Sequence, residues 1–203
     1  MAAFLGLDTS NYTTSVALYD SKTHTVVQNK RLLAVKDGAL GLRQSDAVFS
    51  HVKQLGELVD GLMEHVGEDI EISGVGVSIK PRDAQGSYTP CYLVGEMAAQ
   101  TISSLNHLPL TRVSHQSGHI AAALFSSHML ELVGRPFAAF HLSGGTTECL
   151  LVNPDQERIF SVELIASSID LKAGQAVDRV GGMLGLPFPA GKYLEQLALQ
   201  SKE

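Results

Sequence analysis

Apolar and polar residues alternate at the start of the chain. Phe4 to Leu7 is a short apolar run, Thr14 to Tyr19 follows a period of two, and Thr25 to Ala34 does so again. Successive side chains of a strand point to opposite faces, so these runs predict three strands, with Asp8-Thr9-Ser10-Asn11 turning the chain after the first. A polar connection, KDGALGLRQSD at 36–46, follows, and then the period changes. Ala47, Val48, Val52, Leu55, Leu58, Val59, Leu62 and Val66 recur at the spacing of one helix face, behind Ser45 as the expected cap. Ile72 to Ile79 reads as a buried strand, PRDAQGSYTP (81–90) as a loop, Tyr92 to Leu105 as a helix and Leu110 to Val113 as a strand. The order is βββαβαβ, with a further helix opening at His115.

Beyond that helix the pattern restarts. FLGLDTSNYTTSVALYD (4–20) and FAAFHLSGGTTECLLVN (137–153) align without a gap: Phe4 with Phe137, Ser10 with Ser143, Thr13 and Thr14 with Thr146 and Thr147, Leu18 with Leu151. A third strand follows each copy, at Thr25 onward and at Arg158 to Ile165. Hairpins share such alternation, but the matched turns favour a duplication. Two Gly/Ser/Thr turns that face each other can offer backbone N–H groups and hydroxyls to a phosphate chain held between two lobes. The fold expected is therefore α/β, of the actin/Hsp70-like ATPase (ribonuclease H-like) class, with duplicated βββα units in two lobes. The first lobe is assigned to 1–110, and 111–203 to the His115 helix and the start of the second. The second copy reaches only a helix at Ala173 to Leu184 and GKYLEQLAL, so the second lobe is expected to be incomplete.

Composition narrows the function classes. With 203 residues and 44% hydrophobic content, the chain can bury a core, and no apolar run is long enough to span a bilayer. MAAFLGLD lacks a basic leader, which sets the expectation of a cytoplasmic protein with no membrane partner. Cys91 and Cys149 stand alone and far apart, which fits two buried thiols better than a disulfide or a CxxC motif. A net charge of −6 argues against a broad electrostatic grip on nucleic acid, so any such partner is met locally or through another subunit.

Four stretches can carry chemistry. In HQSGH (115–119), His115 and His119 lie one helical turn apart and either clip one metal ion or merely face the same way. Gln116 stands where zinc proteases carry their glutamate base, so the pattern gives peptide hydrolysis no support. Two histidines leave a catalytic site incomplete, and His141 or Asp8 are the candidates by residue type for a third ligand. Asp8 is the candidate catalytic carboxylate, placed to hold a hydrated cation beside phosphate, or else it caps its own turn. In HLSGGTTE (141–148), Ser143, Gly144 and Gly145 let the backbone approach an anion closely, or form a glycine hairpin turn. Further on, Asp178 and the Pro189-Ala190-Gly191 turn could bed a nucleoside, or cap helices.

FLGLDTS, HQSGH, HLSGGTT and AGQAVDRVGGMLGLPFPAG, in this order, resemble the tRNA threonylcarbamoyladenosine synthase family (TsaD or glycoprotease, peptidase M22-like), formerly classed as O-sialoglycoprotein endopeptidases. The resemblance covers nearly the whole chain but only the amino-terminal part of the family's length. It implies a divalent metal, iron or zinc, held by His115 and His119 with an aspartate from a carboxy-terminal segment this sequence does not contain. It also implies that His141, Leu142, Ser143, Gly144, Gly145, Asp178 and Gly191 line the pocket for an adenine nucleotide or threonylcarbamoyl-adenylate. The implied reaction is attack by the exocyclic amine of a tRNA adenosine on the carbamoyl carbon, with AMP leaving. The implied partners are tRNA, met directly or in a complex, and a paralogous family subunit or a second copy.

The chain departs from the family at acidic positions. Asn11-Tyr12-Thr13-Thr14 stands for Cys-Asp-Glu-Thr, Thr146 for the histidine of a Ser-Gly-Gly-His-Thr turn, and Asp170-Leu171-Lys172-Ala173-Gly174-Gln175 for Asp-Asp-Ala-Ala-Gly-Glu. PRDAQGSYTP replaces a glycine-proline-glycine loop. Fewer groups remain to accept protons, which touches transfer chemistry more than ligand binding. A non-catalytic nucleotide-binding or scaffold paralogue that pairs with the active transferase is therefore the alternative. A sugar or acid kinase of the same fold would leave HQSGH without a role.

Overall fold

A computed structural model describes residues 2–35, 42–67 and 70–201. Most of the polar connection read from the sequence, 36–41, lies outside the described residues. The chain divides into two compact units, 1–130 with 155–160 and 131–154 with 161–203. The boundary expected at 110/111 falls inside the first unit, which continues through the His115 helix to Leu130.

In the first unit, β1 (Ala3–Ser10), β2 (Thr13–Asp20), β3 (Thr25–Leu32), α1 (Gln44–Val66), β4 (Ile72–Lys80), α2 (Tyr92–Asn106), β5 (Leu110–Ser114) and α3 (His115–Ser126) succeed one another. The five strands form one sheet in the order β3-β2-β1-β4-β5. The β1–β2 and β2–β3 pairs are antiparallel, whereas β4 runs parallel to both β1 and β5. A hairpin pair followed by parallel crossover strands is the βββαβαβ order expected, and the fold is the actin/Hsp70-like, ribonuclease H-like class.

Alternation decides the core. Ala3, Leu5, Leu7 and Thr9 of β1 are buried, as are Thr14, Val16 and Leu18 of β2. The apolar residues among them meet Leu55, Leu58 and Leu62 of α1 and Val94 and Ala99 of α2. Each buried leucine contributes about 2 kcal/mol of apolar burial. The helix α1 begins two residues earlier than its expected cap allows: Arg43 holds the N-cap position without a side-chain hydrogen bond, and Ser45 sits in the first turn. Cys91 is fully buried and Cys149 only partly, so the expectation of two buried thiols holds for the first alone.

The second unit carries β6 (Phe137–Leu142), α4 (Ala173–Met183), α5 (Gly191–Gln200) and most of β7 (Thr147–Asp155) and β8 (Ile159–Ser167), whose joined ends at 155–160 group with the first. Its sheet has the order β6-β7-β8. The two hairpins share one register under the gap-free sequence alignment: Phe4 pairs with Tyr19 and Phe137 with Val152, Asp8 with Ser15 and His141 with Glu148. They differ in the turn, where the β1–β2 ladder runs on to Ser10–Thr13 but the β6–β7 ladder stops at Leu142–Thr147. Among the described residues, no helix is long and apolar enough to cross a membrane.

Candidate functional site

Parallel strands bring their carboxyl ends to one edge of a sheet, so β1, β4 and β5 deliver Asp8, Ser78 and Ser114 to the same side. Ser114 then caps α3: it is buried, and its hydroxyl accepts the Ser117 N–H at 3.1 Å. That cap sets the helix to start at His115, with His119 one turn later. His115 Nδ1 lies 2.8 Å from Asp8 Oδ2, and its Nε2 lies 2.9 Å from His119 Nε2. The other oxygen of Asp8, Oδ1, accepts the Ser10 N–H at 2.8 Å. Asp8 therefore caps its own turn, the second of the uses left open by the sequence, and also reaches α3.

Thr9 ties α2 to the same edge. It is fully buried, donates to the Cys91 carbonyl at 2.9 Å and accepts the Gly95 N–H at 3.1 Å. A Cβ at Gly95 would fall 2.9 Å from the Thr9 hydroxyl, so the close approach needs glycine. The docking places the buried Tyr92 ring 6.3 Å from that of His115. Burial raises the Asp8 pKa, but the hydrogen bond and charge of His115, together with Ser78 and Ser10, outweigh it and hold the carboxyl down at about 2. Asp8 is ionised at neutral pH. Burial pushes the Cys91 thiol up to about 11, so it is no thiolate nucleophile there, and burial with the Asp8 charge also raises the Tyr92 phenol.

Two imidazole Nε2 atoms that converge, with a carboxylate behind one ring, form a donor set that zinc or iron accepts. The residues present fit such an ion in part. Among the described residues, no third His, Cys, Asp or Glu joins the pair. Asp8 meets the opposite nitrogen of His115, on the far side of the ring from His119. His141, the other candidate third ligand, belongs to the second unit, where its Nδ1 stands 3.7 Å from Glu148 Oε2 across the β6–β7 ladder.

The glycine turn is built on α4. Ser143 N–H donates to the Thr146 carbonyl at 2.7 Å, and Gly145 N–H to the Ser143 hydroxyl at 3.2 Å. From α4, Gly174 N–H donates to the Ser143 carbonyl at 3.0 Å and Ala173 N–H to Thr147 Oγ1 at 2.7 Å. Gly144 and Gly145 are exposed at the tip, and Leu142 beside them is exposed too. Asp178 Oδ1 accepts the Ala190 N–H at 2.8 Å, immediately before Gly191 opens α5. Asp178 thereby ties α4 to the corner before α5, while α5 itself starts without a side-chain cap.

The family described as TsaD, tRNA N6-adenosine threonylcarbamoyltransferase, matches residues 26–203. The chain belongs to this family. Proteins of that name are 32% identical over 197 residues in Lacticaseibacillus casei (strain BL23), covering 96% of this chain and 54% of the relative. In Oenococcus oeni (strain ATCC BAA-331 / PSU-1), identity is 40% over 110 residues, covering 54% of this chain and 30% of the relative. The chain thus spans about half the length, or less, of these curated relatives. Among solved structures, YeaZ from Pseudomonas aeruginosa superposes with a TM-score of 0.46 at 17% identity, over 85% of this chain and 68% of that one.

For this TsaD-family chain the sequence reading missed several groups at the site. Tyr92 carried no motif, and Thr9 lay inside FLGLDTS without a role of its own, because both roles come from the docking of α2 on β1. His51 did leave a signal, since it falls between Ala47 and Leu55 on the buried stripe of α1. It is fully buried, with Nδ1 2.8 Å from Thr14 Oγ1, which in turn donates to Gln54 Oε1 at 2.9 Å. Asp83, in the loop that replaces the family's glycine-proline-glycine, has a buried side chain that pairs with Lys80 at 3.1 Å.

Proposed function

We propose that this chain serves tRNA threonylcarbamoyladenosine formation, with His115 and His119 holding a divalent cation and the second unit holding an adenylate. The observation that carries the reading is the Asp8–His115–His119 relay of hydrogen bonds, at 2.8 and 2.9 Å, in a chain of the TsaD family. A cation bound there would supply Lewis-acid charge on the first unit. The Ser143–Gly145 turn offers exposed backbone at which an anionic oxygen can dock, and Asp178 keeps the Ala190–Gly191 corner in place for a nucleoside. In the transfer itself, the exocyclic nitrogen of adenosine bonds to the carbamoyl carbon, the carbon–oxygen bond to phosphate breaks, and AMP leaves while the amine loses its proton. Positioning, rather than a covalent protein intermediate, is what these residues provide. The work is expected to take place in the cytoplasm, on tRNA met alone or through a complex.

Metal content of the purified protein and titration with a non-hydrolysable threonylcarbamoyl-adenylate test the reading. Wild-type protein is expected to hold close to one equivalent of zinc or iron, and His115→Ala and His119→Ala each to reduce it at least tenfold. Unchanged stoichiometry in both variants removes the metal assignment.

A second reading has its own support. Phe49 and Val52 on α1, and Leu93 and Met97 on α2, are 65, 59, 51 and 63% exposed. With Asn11, Tyr12 and Thr13 at positions where the family carries Cys, Asp and Glu, the chain would act as a non-catalytic partner of an active subunit or as a homodimer. Light scattering during adenylate titration separates the two: a stable assembly that binds no adenylate favours the partner role.

A further inference from the structure

We propose that Asp8 is a positioning residue: its carboxylate fixes His115 as the Nδ1–H tautomer, which keeps the Nε2 lone pair turned toward His119. The ligand half of this role rests on the metal reading above, whereas the tautomer half stands on geometry alone. A neutral imidazole carries one N–H and one lone pair, and a carboxylate can only accept. At 2.8 Å from Asp8 Oδ2, the proton therefore belongs on Nδ1 of His115. Its Nε2 is then the acceptor of the 2.9 Å contact with His119, whose Nε2–H is the donor. His115 is the preset member of the pair, with its lone pair already aimed at the point the two rings share.

The carboxylate is itself locked. Oδ1 accepts the Ser10 N–H at 2.8 Å, so Asp8 cannot rotate without breaking the turn between β1 and β2. The partners are 107 residues apart in sequence, so a purely local turn-capping role accounts for Oδ1 and not for Oδ2. This makes Asp8→Asn a sharp probe. The Ser10 N–H requires an acceptor, so the asparagine carbonyl takes the Oδ1 place and turns its NH2 toward His115 Nδ1. An NH2 group donates, which moves the imidazole proton to Nε2 and covers the lone pair that faces His119. The turn keeps its cap while the tautomer inverts.

Nitrogen-15 NMR of histidine-labelled, metal-free protein reads which ring nitrogen carries hydrogen, and zinc alone, in competition with a chelator, reads affinity. Wild type is expected to show His115 protonated on Nδ1, and D8N on Nε2, with zinc affinity about 10- to 100-fold lower and a circular dichroism spectrum like that of wild type. A wild-type His115 protonated on Nε2 overturns the proposal; this arm decides it even if D8N does not fold. Unchanged zinc affinity in a folded D8N overturns the positioning role and leaves the metal reading standing. Wild-type protein that binds no zinc overturns the metal reading and the positioning role with it.

Discussion

Protonation of His51 is expected to show in stability. Burial holds its imidazole below the ordinary value of 6.5, against the opposing pull of the Asp8 charge and the Ser10 backbone. The unfolded chain therefore takes up a proton as pH falls below about 6.5, while the native state resists it until lower pH. The stability His51 allows is present above that value and declines as the medium acidifies toward the native pKa. The melting temperature is expected to drop between pH 7.5 and 5.5, with a shallower slope in His51→Gln; equal slopes would assign the dependence elsewhere. The same scale shows what the sequence could not display. HQSGH was legible as a pair because helical spacing is local, but the Asp8–His115 contact joins strand and helix across most of the first unit. Residue type suggested Asp8 as a ligand, and only the sheet's geometry reveals which ring nitrogen it meets.

At the level of elements, periodicity was a good guide wherever one face is buried. The boundaries of β1, β2, β4, α2 and β5 fall within a few residues of those read from alternation, because the core enforces it. Caps were less readable: Ser45 looked right by type, yet the helix starts at Gln44 without any side-chain cap. The junction of the glycine turn with α4 was not legible either, since it depends on a close approach between segments remote in sequence. A Cβ at Gly174 would fall 2.6 Å from Gly144 N and 2.7 Å from its Cα, both backbone atoms that cannot step aside. Gly174→Ala is expected to destabilise the second unit by about 2 kcal/mol and to weaken anion binding at the turn. Urea unfolding beside phosphate titration checks this, and a neutral substitution would mean that the turn yields easily.

For the whole molecule, charge sets the terms of any encounter with tRNA. At −6 the chain lacks the excess of cations that neutralises many phosphates, so its own affinity is expected to be low. About two phosphate contacts would lower binding roughly tenfold between 50 and 200 mM salt, against the thousandfold or more of a broad basic face. Filter binding at the two salt concentrations measures this; a steep dependence would reveal a basic surface that net charge conceals. The parallel between the two hairpins was also visible in the sequence, and their ladders share one register up to the turn. Asp8 and His141 stand on equivalent rungs, but their neighbours differ. Asp8 sits across from Ser15, which makes no claim on its carboxylate oxygens, while His141 sits across from Glu148 and meets it at 3.7 Å. One rung exports negative charge to a helix remote in sequence; its counterpart keeps acid and base at home, each answering the other within the same ladder.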